Sequence, residues 1–268
     1  MRVAGVRVRV RVSRTGDGRA DMVQHNKKPR RAPPLTSVWD VDAVGSALGS
    51  AGIKSHPHLR KLLGWLVRHP EVQRWEDVGD SWSAAPELRN IPVTARTLLC
   101  EHFVVSSSRV EARDESSDGE TTKLAVTLSD GLRVETVLMR YGKRTTACVS
   151  SQIGCAMGCT FCATGTMGIV GDLNAGEIVE QFLHARHVEF GRSGCNADGA
   201  PKAAKPARQS LVRNVVFMGM GEPLNNYKSV VSAVRLLIDP SLFGLGPRCV
   251  TVSTVGIVPR MKLSLIHI

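Results

Sequence analysis

Hydrophobic and polar positions along the chain fall into three successive patterns. From Val38 to about Val104 apolar residues recur at helical spacing. Asp40 precedes Val41, Val44 and Leu48; Leu59, Leu62, Leu63, Trp65 and Leu66 follow, then a run from Leu88 to Phe103, with Pro57, Pro70 and Pro92 as breaks. The spacing predicts a small helical domain over residues 38–104. From Arg109 to Tyr141 the period shortens to two. Leu124 to Leu128 and Leu132 to Leu138 flank Asp130-Gly131, a turn signal, which predicts a β-hairpin connector over residues 105–143.

From residue 144 onward strand and helix signals alternate. A strand near Ala147 to Gln152 precedes a helix from about Ala175 to Glu189. A Gly-, Ala- and Lys-rich insert, Gly191 to Gln209, leads to an apolar strand, Asn214 to Met218, a helix from about Tyr227 to Asp239, and a third strand, Cys249 to Thr254. Such alternation implies an α/β fold with a parallel sheet and crossover helices. Three repeats make about half of a (β/α) barrel over residues 144–260, and they predict an unpaired sheet edge after the third strand. Residues 261–268 carry no cap or helix start to shield that edge and read as a non-native or truncated end, so the chain reads as a fragment.

Charge changes the picture at one end only. The 268 residues are 43% hydrophobic with a formal charge of +11, which excludes a fibrous or fully disordered protein. No apolar run reaches the roughly 18 to 20 residues that cross a bilayer. Residues 1–34 hold ten Arg or Lys against Asp17 and Asp21, so most of the excess lies there. Arg and Val alternate through Val6 to Val12 with the period of a strand, whereas a presequence helix needs its basic residues on one face. The segment reads as a basic disordered tail, with an organelle address, or a true start at Met22, as alternatives. The body carries too little net charge for a broad basic face.

The cysteines carry the sharpest signal. Seven are present, at 100, 148, 155, 159, 162, 195 and 249, and Cys155-Ala-Met-Gly-Cys159-Thr-Phe-Cys162 forms a C-x3-C-x2-C loop after a strand. Three thiolates can hold three irons of a four-iron four-sulfur cubane and leave the fourth iron open. A zinc site would need a fourth ligand; the next His or Cys downstream are His184 and His187, on a helix. A second loop, Met218-Gly-Met-Gly221-Glu222-Pro223, follows the next strand, where ligand loops lie in parallel β/α folds. Its glycines permit close backbone approach, and its carboxylate can accept from an ammonium group. Ser253 adds a hydroxyl at the end of the third strand, although a strand-end serine more often bonds its own backbone.

The cysteine loop, with Phe161 before its last cysteine, resembles the radical S-adenosylmethionine enzymes, and the Gly-Glu loop is similar to their cofactor-binding motif. The likeness narrows to the RlmN-type RNA adenine-C2 methyltransferases, related to Cfr. It rests on Cys148-Val-Ser-Ser-Gln-Ile-Gly-Cys155 and the cysteine loop, Asn174-Ala-Gly-Glu-Ile-Val-Glu-Gln, Asn214-Val-Val-Phe-Met-Gly-Met-Gly-Glu-Pro-Leu and Val250-Thr-Val-Ser-Thr-Val-Gly-Ile-Val-Pro. Gly131-Leu-Arg-Val-Glu135-Thr-Val-Leu-Met and the Leu62 to Trp65 helix also match, so the resemblance spans about Val38 to Pro259.

The resemblance implies a radical S-adenosylmethionine barrel, incomplete in this chain, that methylates C2 of adenine in ribosomal or transfer RNA. It implies that Cys155, Cys159 and Cys162 hold the four-iron four-sulfur cluster, and that Phe161, Gly221, Glu222 and Ser253 touch S-adenosyl-L-methionine. Glu135 is implied as proton acceptor, and Cys148 as partner in a transient disulfide with a methyl-carrying cysteine beyond residue 268. By residue type alone, Glu135 is a solvated strand residue and Cys148 a small buried hydrophobe. Flavodoxin or ferredoxin as electron donor, a monomeric state, a cytoplasmic location (mitochondrion or plastid as alternatives) and no membrane association complete the expectation. Without its later strands the chain is expected to bind a cluster weakly or not at all and not to complete methyl transfer. Two other readings stay open: a radical enzyme with another substrate, and a non-catalytic metal- or RNA-binding module.

Overall fold

The computed structural model of the chain describes residues 7–10, 34–53, 55–142, 144–160, 162–193, 212–257 and 259. Phe161, most of the basic tail, nearly all of the Gly-rich insert and residues 260–268 lie outside them. After a short strand β1 (Arg7–Val10), the helical region comprises α1 (Val41–Ser50), α2 (Ser55–Arg68), α3 (Ser81–Ala84) and α4 (Val93–His102). The Asp40 side chain caps α1 by accepting from the Ala43 N–H at 3.3 Å. Val44, Leu48, Leu62, Leu63, Leu88 and Leu99, at the positions the helical period singled out, are buried. Among the described residues no helix is long and apolar enough to cross a membrane.

The strands are β2 (Arg109–Glu115), β3 (Thr121–Thr127), β4 (Arg133–Tyr141), β5 (Arg144–Cys148), β6 (Gln152–Cys155), β7 (Gly168–Asp172), β8 (Val212–Phe217) and β9 (Val250–Thr254). One seven-stranded sheet runs β1-β9-β8-β5-β4-β3-β2, and β6 and β7 form a separate antiparallel pair. Pairing is parallel from β5 through β8 and β9 to β1, and antiparallel from β5 to β2. Helices α5 (Ala175–Ser193) and α6 (Tyr227–Ile238) supply the crossovers.

Several expectations change. The β3–β4 hairpin turns at Asp130-Gly131 as the sequence indicates, but β2 joins it and β4 pairs with β5, so the connector is the antiparallel wing of the main sheet. The strand read as Ala147 to Gln152 is two strands, because the chain leaves β5 at Cys148 and enters the β6–β7 pair at Gln152. The edge of β9 is paired: Arg7–Val10, inside the segment read as a structureless tail, lies parallel to Thr251–Thr254. The strand period of its Arg–Val alternation fits that role better than the reading of the tail as unstructured.

Register divides the sheet into two faces. Val134, Thr136, Leu138, Ala147, Val215, Phe217, Val250 and Val252 are buried on the face that α5 and α6 cover with Ile178, Val179, Phe182, Val230 and Val234. The partners Val137↔Cys148↔Val216↔Thr251 and Thr146↔Asn214 mark the other face, which also carries Glu135 and Ser253 and is mostly half-buried or exposed.

Candidate functional site

The site forms where β5, β8 and β9 end. Gly219 and Gly221 bring the second loop onto the segment that enters the cysteine strand. A Cβ on Gly219 would stand 2.7 Å from Ser150 Oγ, and one on Gly221 would stand 2.5 Å from Gln152 Cβ. Gly221 also has φ +99°, a conformation that L side chains rarely adopt. Backbone bonds close the contact. Gly219 N–H donates to the Val149 carbonyl at 3.2 Å, and the Met220 carbonyl accepts from Ser151 N–H at 2.8 Å and Gln152 N–H at 3.2 Å.

Glu222 is buried, and its carboxylate is aimed by its own chain. Oε1 accepts from Leu224 N–H at 3.0 Å and from the Thr254 hydroxyl at 2.6 Å; Oε2 accepts from Val255 N–H at 3.0 Å. Of the roughly four lone-pair directions of a carboxylate, about one remains for a further donor, on Oε2. The Glu222 N–H donates to Gln152 Oε1 at 2.9 Å, and Gln152 Nε2 donates to Asp172 Oδ1 at 2.5 Å, so one glutamine ties the Gly-Glu loop to β7. Asn226 Nδ2 donates to the carbonyls of Ser151 and Leu173, at 2.7 and 2.6 Å.

Cys155 ends β6 and is buried; Cys159 and Cys162 are half-buried in the loop that follows. Burial pushes the Cys155 thiol up; the Met157 N–H opposes this, and the neighbouring Cys159, Glu222 and Cys162 add to the rise. Each of these groups therefore lies within electrostatic reach of Cys155. Gly165 packs on the loop, with its Cβ position 3.0 Å from Cys159 N. Among the described residues no three His, Cys, Asp or Glu side chains converge as a metal-holding group. The donor set nevertheless suits a thiolate-bound iron–sulfur cluster, since three free thiols lie on one eight-residue loop, and cationic iron would relieve their mutual repulsion.

Glu135 is exposed on β4, with its carboxylate 3.7 Å from Lys123 Nζ. Cys148 is buried on the same sheet face, and desolvation holds its thiol up at about 11 against the Met218 N–H that favours the thiolate. Ser253 is half-buried on that face too, while the neighbouring Thr254 supplies the hydroxyl that bonds Glu222. The structure thus brings Cys155 and Glu222 together across the Gly221 contact and puts Glu135, Cys148 and Ser253 on one surface. Phe161 lies outside the described residues.

Sequence reasoning missed Gln152, Thr254, Ser150, Gln181 and Asn226. Asn174 and Glu177, quoted above only for the resemblance, form a reciprocal capping box, with Glu177 N–H to Asn174 Oδ1 at 2.8 Å and Asn174 N–H to Glu177 Oε2 at 2.9 Å, which starts α5.

No protein-family model matches the chain. A solved radical SAM methyltransferase from Sphaerobacter thermophilus is similar with a TM-score of 0.63 and 32% identity, over 85% of this chain and 60% of that one. Fold and cysteine loop together make this a radical SAM methyltransferase architecture, present in part. The dual-specificity RNA methyltransferase RlmN 1 of Myxococcus xanthus is 44% identical over 176 residues, 66% of this chain and 45% of that protein. A probable dual-specificity RNA methyltransferase RlmN of Frankia alni is 40% identical over 244 residues, 87% of this chain and 52% of that protein. The chain belongs to the RlmN family of RNA methyltransferases, and it spans about half the length of these relatives.

Proposed function

We propose that the protein of which this chain carries the described part methylates C2 of an adenine in ribosomal RNA, and in transfer RNA as well. The observation that carries this reading is the Gly221-Glu222 loop locked onto the strand that ends in Cys155, with one acceptor direction of Glu222 left over. Cys155, Cys159 and Cys162 would hold the cluster. Bound together, cluster and S-adenosylmethionine supply one-electron cleavage of a carbon–sulfur bond, chemistry that side chains alone lack. Glu222 would accept from the ammonium group of S-adenosylmethionine, Gly221 would let the backbone approach it, and Ser253 and Phe161 would also touch the cofactor. Glu135, open to solvent, would take the proton that releases the RNA. Cys148 would give the second thiol of a disulfide; at neutral pH it keeps its proton until a base removes it. Flavodoxin or ferredoxin as electron source, a monomeric state and a cytoplasmic location belong to the same reading.

The test fuses residues 1–259 to the C-terminal half of the Myxococcus xanthus relative, reconstitutes the product anaerobically, and measures iron, sulfide and 2-methyladenosine by mass spectrometry. Iron, sulfide and 2-methyladenosine together are expected, and the unextended chain should give no 2-methyladenosine. A loaded cluster that cleaves S-adenosylmethionine without methylating RNA would favour a radical enzyme with another substrate. Stoichiometric zinc would favour a metal-binding module.

A further inference from the structure

Helix α5 contributes none of the residues assigned above, yet it buries polar side chains on its covered face. Glu180 accepts from Ser107 N–H at 2.8 Å and Ser107 Oγ at 3.0 Å, and Glu189 accepts from Arg140 Nε at 2.7 Å, so these two fasten the helix to the start of β2 and to β4. Gln181, fully buried, reaches a different target. Its Oε1 accepts from Ser150 N–H at 2.8 Å and from Thr136 Oγ1 at 3.0 Å; its Nε2 donates to the carbonyls of Ser150 at 3.0 Å and Glu177 at 3.2 Å. Both donors and both acceptor directions of the amide are used. The amide grips the N–H and the carbonyl of one residue, as a neighbouring strand would, at the point where the chain leaves the main sheet for the cysteine strand.

Ser150 passes the constraint on. Its hydroxyl donates to the Glu135 carbonyl at 2.7 Å and accepts from Met220 N–H at 2.9 Å. One buried residue therefore joins β4, α5, the entry to the cysteine strand and the Gly-Glu loop. We propose that Gln181 and Ser150 are a positioning pair that sets the register between the Gly-Glu loop and the cysteine strand, and with it the spacing of Glu222 from the three thiols. Its importance to catalysis rests on the function proposed above; its existence as a mechanical link does not.

The test therefore uses the 268-residue chain without cofactor, and reads amide hydrogen exchange together with the alkylation rate of Cys155 relative to exposed Cys100. Gln181→Leu removes the grip on Ser150. Ser150→Ala leaves that grip and removes only the bonds to Met220 and Glu135, so it carries the test if the first variant fails to fold. In Ser150→Ala the amides of residues 219–222 should exchange about tenfold faster and Cys155 should alkylate faster, while amides in α2 stay at their original rates. Gln181→Leu should add the amides of residues 150–152 to the accelerated set. Unchanged exchange at residues 219–222, or acceleration spread evenly through the molecule, would overturn the proposal. A chain that takes up no iron but shows the local acceleration would sink the proposed chemistry and leave the pair standing.

Discussion

The two faces of the main sheet are made by the same strands and do different work. On the face under α5 and α6 the side chains are buried and mostly apolar; on the other, Glu135, Asn214, Thr251 and Ser253 stand half-buried or exposed around Cys148. Because side chains alternate along a strand, a step of one residue moves a position from the part that holds the fold together to the part that can meet a ligand. Neighbours in sequence should therefore respond to substitution very differently.

The comparison is broken most directly at Phe217, which is 1% exposed against the helices. Phe217→Ala should cost about 3–5 kcal/mol in urea denaturation. A cost no greater than that of Val216→Ala, one position along on the half-buried face, would contradict the division. At the rim, Gly221→Ala should cost about 1–3 kcal/mol, since the new Cβ meets Gln152 and the backbone holds φ +99°. On the open face the expected effects are in reactivity. With its thiol held up at about 11, Cys148 should alkylate slowly at pH 8 and speed up as pH nears 11. A Cys148 thiol that titrates near 9 in the folded chain would show that this face is wetter than its burial implies. The smallest effect belongs to Glu135, exposed and paired, among the described residues, only with Lys123 at 3.7 Å: Glu135→Gln should leave the urea midpoint within about 0.5 kcal/mol of the original. A larger loss would mean that the open face contributes to stability after all.

Acid should single out one half-buried group. Burial lowers His184 to about 4, so this ring must take up a proton on unfolding once the pH drops below about 6.5, and its contribution to stability is lost between there and pH 4. Burial raises Glu180, which acts in the opposite sense. Comparing the urea midpoints of the original chain and His184→Gln across that window isolates the histidine; equal slopes would contradict its being held as a neutral, desolvated ring.

What the sequence disclosed follows the same division. Periodicity reports burial, so the helical region, the β3–β4 hairpin and the crossover helices α5 and α6 were legible, and the cysteine spacing and Gly-Glu loop were legible as chemistry. Strand β2, Arg-Val-Glu-Ala-Arg-Asp-Glu, lay inside the region of strand period from Arg109 but was not singled out as a strand, because an exposed edge strand has no apolar face to alternate. The break between β5 and β6 was hidden because Ala147 to Gln152 reads as one run, while the partner that bonds the chain at the break, Gln181, is distant in sequence. Thr254 was passed over for Ser253 because spacing does not show which hydroxyl faces a carboxylate arriving from another strand.

The pairing of β1 with β9 has a consequence for the order of assembly. Arg7 and Thr251 are partners separated by nearly the whole described chain, so a strand synthesised before every other described strand finds its neighbour only after the others exist. Until then the flank of the sheet that β1 covers is available to any extended peptide nearby. Nascent or refolding molecules can therefore capture one another through β9, as they can at the exposed β2 edge.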